Sequence, residues 1–341
     1  MRALILNHPN DFAVVQADIP ILGASEVLVK IHACGVCGTD VHIVDGHFPP
    51  TPFPITPGHE SAGEVIAVAP GVTGLHVGDR VGVDASLSCG HCALCRRGDS
   101  NVCPDRGGIG GTIDGGFAEI AVVPAANCYP IAPHVSYREA AVAEPLSCVL
   151  HGIQLLRPTF QPSVLILGAG TMGLLTLQVM KSAGTSRVHV INRSPGRLPL
   201  ASTLGADKTA TSGEYESSTI PDLYDIVIEA TGAPEMVALG LRSLKPRGQL
   251  LLLGVTSSGT TVELSPFDLY NNELSVLGSM GAKNTYGQAL EAIANGSVSV
   301  GPLLTHAFPL ERFADALATV RSGIGVKIQI LPNHADDFIL A

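Results

Sequence analysis

In the run Cys34-Gly35-Val36-Cys37-Gly38-Thr39-Asp40-Val41-His42 a thiol (Cys37), a hydroxyl (Thr39) and an imidazole (His42) fall within six positions. Downstream, Gly58-His59-Glu60 adds a nitrogen and an oxygen donor. Cys37, His59 and Glu60 together offer one thiolate, one imidazole and one carboxylate. Three protein ligands leave one position open for water or substrate, which is the coordination of a catalytic zinc; a structural zinc closes its shell with four. Taken singly, Cys37 would read as a small buried hydrophobe and His59 as a loop histidine. Their combination points to a metal.

A second cluster, Cys89, Cys92, Cys95 and Cys103, has the close spacing of a closed tetrahedral zinc site. A four-cysteine iron–sulfur cluster is the competing reading. Cys34, Cys128 and Cys148 read as packing residues. Thiols used this way imply a reducing, cytoplasmic setting.

The third motif is Gly168-Ala169-Gly170-Thr171-Met172-Gly173. It follows an apolar run at 164–167 and opens an apolar helix at 172–183, the context that makes a glycine fingerprint a dinucleotide site. Gly168 permits the tight turn, Gly170 lets the backbone approach a pyrophosphate, and Gly173 permits close helix–strand packing. Cofactor choice is read about 20 residues later, at the end of the second strand. An acid expected there would hold the ribose diol of NAD. This chain has Asn192, followed by Arg193, Ser194 and, one helical turn on, Arg197. Two guanidinium groups and a hydroxyl suit a phosphate dianion, so NADP(H) is the expected cofactor. Solvated surface arginines are the alternative.

The elements that must position these groups change character near residue 135. Before it, short runs at 2–6, 13–17, 26–33, 61–68, 80–83 and 115–123 read as strands between Gly, Pro and Asp. Residues 137–156 read as one helix with buried faces. Then strands at 164–167, 187–191, 225–229, 249–253 and 274–278 alternate with helices at 172–183 and 195–204, which implies a parallel sheet. Helices at 286–295 and 311–321 and strands at 304–309 and 326–330 close the chain. A length of 341 residues suggests two domains. A net charge of −10 disfavours nucleic acid and anionic membrane as partners. The N-terminus has no signal-peptide pattern, and glycines interrupt the most apolar run.

The strings C-G-V-C-G-T-D-V-H, P-G-H-E-S-A-G-E-V and G-D-R-V-G-V resemble the zinc-dependent medium-chain dehydrogenase family, nearest its polyol and threonine dehydrogenase branch. The resemblance runs over essentially the whole chain. It implies an α/β protein: a mostly β GroES-like catalytic domain (1–148 and 283–341) plus a Rossmann domain with a doubly wound parallel sheet (149–282). It implies two zinc ions, structural at the four-cysteine lobe and catalytic at Cys37, His59 and Glu60. It adds Glu144, in an Ala-Glu-Pro-Leu string, to the catalytic metal, directly or through water. It implies a small-molecule alcohol substrate and a homo-oligomer, dimer or tetramer.

An open zinc beside a nicotinamide suits hydride transfer from an alcohol, and the resemblance implies a secondary alcohol, foremost a sugar alcohol giving a ketose. Thr39 could take the departing proton and His42 pass it on; otherwise Thr39 is a helix N-cap and His42 a helix-surface residue. The polyol branch has an Arg–Tyr-like pair past the last cofactor-domain strand. This chain has Gly278-Ser279-Met280-Gly281-Ala282-Lys283-Asn284 there, which points away from a sorbitol-type substrate. A smaller or differently hydroxylated sugar alcohol, a simple secondary alcohol, or L-threonine are the remaining readings. A non-catalytic nucleotide sensor would be favoured had the zinc ligands been lost.

Overall fold

Alternation of apolar and polar residues from Glu26 produces the strand Glu26–Val36, which buries Val27, Val29 and Ile31. A register shift between Ile31 and Ala33 then turns the run from Cys34 to Val36 wholly inward. The computed structural model describes residues 1–47, 51–217, 222–334 and 338–339. The chain divides into two compact units, one formed by Met1–Glu144 with Tyr286–Gly296 and Val300–Ala341, the other by Pro145–Thr285 with Ser297–Ser299.

The first unit is built on an eight-stranded sheet. One edge of Glu26–Val36 pairs with Ile120–Pro124 over its first half and with Lys327–Ile330 over its last residues. Its other edge pairs with Glu60–Val68, which continues to Arg80–Val83 and Cys128–Pro130. Leu304–Phe308 lies beyond Lys327–Ile330 and parallel to it. The C-terminal strands thus complete the sheet begun by the N-terminal ones. Its core joins Leu4, Ile31, Val36, Val65, Phe117, Phe313 and Ile330.

The second unit is a six-stranded parallel sheet in the order Lys208–Thr211, Arg187–Asn192, Ser163–Leu167, Tyr224–Glu229, Leu244–Leu252, Ser275–Gly278. This is the order 3-2-1-4-5-6 of the doubly wound dinucleotide fold. Ser163–Leu167 is buried along its whole length, as a central parallel strand must be. The helices Thr171–Ser182 and Pro234–Arg242 pack against it and its neighbours.

Two local expectations need correction, and one strand is unexpected. The helix over 137–156 is two, Tyr137–Ala140 and Ala143–Gln154. Pro145 lacks an N–H and would clash in a helix interior, but is tolerated in a first turn. The run at 115–123 is a strand only over Ile120–Pro124, because Phe117 instead exchanges backbone bonds with Leu4 and Pro57. Lys208–Thr211, too short and polar to stand out, is a strand.

Candidate active site

Cys37 is the N-cap of the helix Gly38–Val44, not Thr39: its sulfur accepts the Thr39 N–H at 3.3 Å. A helix N-terminus favours a thiolate. Asp40, fully buried, accepts the Cys37 N–H at 2.9 Å through Oδ2 and faces His59 Nδ1 at 3.4 Å through Oδ1. That orients His59 Nε2 toward Cys37 Sγ, 3.1 Å away. A carboxylate on the outer imidazole nitrogen fixes tautomer and ring direction in metal sites. Burial alone would lower the His59 pKa, but the Cys37 and Asp40 charges outweigh it and hold it well above the usual imidazole range. Anions that favour a proton here favour a metal cation equally.

Glu60 begins the strand beside Glu26–Val36 and is paired with Gly35 across it. Ligand atoms of Cys37, His59 and Glu60 all lie within 4.8 Å of one another. Tetrahedral zinc with ordinary Zn–S and Zn–N bonds would separate its sulfur and nitrogen ligands by about 3.5 Å, so the donor set fits the ion. Glu60 also forms a buried ion pair with Lys327, the two side chains 1% and 2% exposed. Burial pushes the Lys327 amine down, and Glu60 more than restores it. Glycine at position 35 is required by this pair: an added Cβ would lie 1.8 Å from Glu60 Oε2 and 2.8 Å from Lys327 Cε.

Glu144 opens the helix Ala143–Gln154 and stands outside that triplet. Burial raises its pKa to about 7, against the field of His59. Thr39 and His42 lie on the one helix, three residues apart and so on one face.

The four cysteine sulfurs form a second group within 4.8 Å. Sulfur–sulfur separations are 3.9 Å for Cys89–Cys95, 3.9 Å for Cys92–Cys103 and 3.5 Å for Cys89–Cys103. Zn–S bonds of about 2.3 Å in a tetrahedron place sulfurs about 3.8 Å apart. An iron–sulfur cluster would spread at least some of them wider, since its four thiolates are divided between two or four irons. N–H groups of Cys92 and Cys95 point at Cys89 and Cys92 sulfurs, each at 3.4 Å. Hydrogen bonds from the backbone of His91 and Cys92 lower the Cys89 pKa to about 6.

In the second unit, residues 168–170 form the turn between Ser163–Leu167 and Thr171–Ser182, and residues 171–173 open that helix. A Cβ at Gly173 would lie 1.8 Å from the Gly168 carbonyl oxygen, so helix and strand meet as closely as the motif implies. The helix has Gly170 as N-cap and no side-chain cap, and a helix N-terminus of this kind is suited to receive an anion. Asn192 accepts the Ala169 N–H at 3.1 Å and donates to the Ser194 carbonyl at 2.8 Å. Arg193 and Ser194 are exposed, whereas Arg197 is partly buried, with Nη1 3.5 Å from where a Gly170 Cβ would stand. Burial lowers the Arg197 pKa.

Residues 23–133 match the alcohol dehydrogenase GroES-like domain, and residues 138–330 match the glucose dehydrogenase C-terminus family. D-arabinitol dehydrogenase 1 of Uromyces fabae is 32% identical, over 98% of this chain and 97% of that protein. This chain belongs to the zinc-dependent medium-chain dehydrogenase family. It falls in the polyol and threonine dehydrogenase branch and is an alcohol or polyol oxidoreductase. Among solved structures, a putative zinc-binding dehydrogenase of Sinorhizobium meliloti 1021 bound to NADP superposes with a TM-score of 0.93. It is 33% identical, covering 97% of this chain and 99% of that one. The alcohol dehydrogenase rspB of Escherichia coli CFT073, complexed with NADH, gives 0.90 at 30% identity, with 97% and 99% coverage.

Two residues beside this dehydrogenase's candidate metal site are absent from the sequence reading, Asp40 and Lys327. Asp40 was detectable, because an acid three residues after a cap has the spacing of a capping box. Lys327 carried only a weak signal, a single charge between the apolar Val326 and Ile328. Among the described residues no helix is long and apolar enough to cross a membrane.

Proposed function

We propose that the enzyme interconverts a sugar alcohol and its ketose with NADP(H), at a zinc held by Cys37, His59 and Glu60. The observation that carries this reading is the convergence of those three donor atoms within 4.8 Å, braced by Asp40 and Lys327. Bound there, zinc supplies Lewis acidity to a substrate hydroxyl, and the nicotinamide supplies the hydride acceptor. Thr39 accepts the hydroxyl proton and His42 carries it toward solvent. Glu144, with its raised pKa, holds the substrate side of the metal, directly or through a water. Cys89, Cys92, Cys95 and Cys103 hold a second, structural zinc. Arg193 and Ser194 take the ribose 2′-phosphate, and Arg197, seated against Gly170, takes the adjoining phosphate. Gly168, Gly170, Thr171, Met172 and Gly173 form the pyrophosphate cradle, and Asn192 braces it.

The test is metal analysis together with a panel of pentitols, hexitols, L-threonine and simple secondary alcohols, each assayed with NADP and NAD. Two zinc ions per chain and metal-dependent oxidation of an acyclic polyol, faster with NADP, are expected. Turnover confined to L-threonine would assign the enzyme to the alternative substrate class, and turnover of no secondary alcohol would refute the reading.

A further inference from the structure

Glu229 ends the strand Tyr224–Glu229, which neighbours Ser163–Leu167 on the side away from Arg187–Asn192. It is completely buried. Its Oε1 accepts the Thr231 N–H at 2.6 Å, the Thr231 hydroxyl and the Gly232 N–H at 3.0 Å; Oε2 accepts the Gly232 N–H at 3.1 Å. Each of these partners is a donor, the pattern an ionised carboxylate satisfies. Among the described residues no cationic side chain forms an ion pair with it. The site is closed around it: a Cβ at Gly254 would lie 2.5 Å from Oε2. The turn it ties down lies against the glycine turn, since a Cβ at Gly168 would meet Thr231 Cγ2 at 2.7 Å.

A dinucleotide on this sheet order puts its pyrophosphate at residues 168–173 and its adenosine half over Arg187–Asn192. Its nicotinamide half then runs the other way, past the end of Tyr224–Glu229 and the turn at 230–233. We infer that Glu229 is a positioning residue for the nicotinamide half, which fixes this turn and sets a buried negative charge beside the ring that selects its oxidised form. The oxidised ring carries a positive charge and the reduced ring none, so the carboxylate attracts one form and is indifferent to the other. A buried carboxylate is costly unless it is well bonded, and here the Thr231 and Gly232 donors hold the charge in place with no cation among the described residues paired to neutralise it. The inference rests on the cofactor assignment above.

The experiment is calorimetric titration of the intact zinc-loaded protein with NADP⁺, NADPH, NAD⁺ and NADH. Glu229→Gln removes the charge with little change of shape. It should raise the ratio of the oxidised to the reduced Kd by roughly tenfold, the scale of a unit charge acting over about 10 Å at an effective dielectric of about 20. Thr231→Val loosens the same turn and keeps the charge, so both forms should weaken in equal proportion. Glu229→Asp also keeps the charge, and its ratio should stay within about threefold of wild type, which preserves the test if the Gln variant does not fold. Equal weakening of both forms by Glu229→Gln, or a tenfold ratio change in either charge-retaining variant, would overturn the proposal. Wild-type protein that binds none of the four dinucleotides would refute the cofactor assignment itself.

Discussion

Gly35→Ala adds a single methyl group at the point where the proposed metal ligand Glu60 faces its neighbouring strand. The methyl carbon would stand 1.8 Å from Glu60 Oε2, 2.9 Å from its Cδ and 2.8 Å from Lys327 Cε, whereas real Cβ contacts essentially never fall under 3.0 Å. The carboxylate must therefore move by about 1 Å or more, and Lys327 Cε, also inside the contact limit, must give with it, so the geometry of the pair is disturbed. Both partners are buried, and a buried ion pair separated without replacement costs about 3–5 kcal/mol. Against a typical net stability of about 5–15 kcal/mol, that is a large loss from one methyl group. Urea unfolding should show it, and elemental analysis should show the catalytic metal lost while the four-cysteine site keeps its ion. Lys327→Met breaks the same pair, so it should cost a similar amount, and the double variant should cost little more than either single one. A Gly35→Ala protein that keeps both metals and loses under about 1 kcal/mol, or an additive double variant, would refute the reasoning.

Cys37→Ala should remove one zinc and nearly all turnover while leaving the fold, whereas Cys95→Ala should lower thermal stability, because a structural zinc contributes folding free energy; metal counts and melting curves check both. Thr39→Val should retain metal and cofactor affinity yet slow hydride transfer by about 10²–10⁴-fold, and a single-turnover loss under about tenfold would remove it from the relay. His42→Ala should lose less, with partial recovery at high pH. Arg193→Ala should raise KM for NADP far more than for NAD, since one charge-assisted contact contributes about 1.5–3 kcal/mol; a wild type that prefers NAD would refute that assignment. Glu144 has a folded pKa of about 7 against an ordinary 4.5, so the folded state binds the extra proton. Its contribution is complete below pH 4.5 and is lost as pH rises through about 7, up to about 3 kcal/mol in protein stripped of the catalytic metal. Glu144→Gln should flatten that slope in denaturation measured across this range.

Cys37, His59 and Glu60, the four clustered cysteines and the glycines of 168–173 were legible from the chain because each chemistry demands particular atoms at short spacing. The alternation of strands and helices after residue 160 was legible for the same local reason, since period and turn residues act within a few positions. Local pattern failed where a neighbour in space overrode it. Residues 115–119 read as strand, but Phe117 bonds to Leu4 and Pro57, and the local pattern could not show that Asn192, where a ribose-binding acid is expected, spends its amide on Ala169 and Ser194.

Residue types and order by themselves determined which atoms could ligate metal, where a pyrophosphate could approach a helix, and that the chain belongs to two architectures. Only the tertiary structure decided what surrounds those atoms. It brought Lys327 from the last strand onto Glu60, made Gly35 the space that pair occupies, set Asp40 behind His59 and left Glu229 among donors alone. The physical reason is that donor chemistry is a property of one side chain, whereas burial, charge pairing and excluded volume are properties of neighbours, and strand register brings together neighbours that lie hundreds of residues apart.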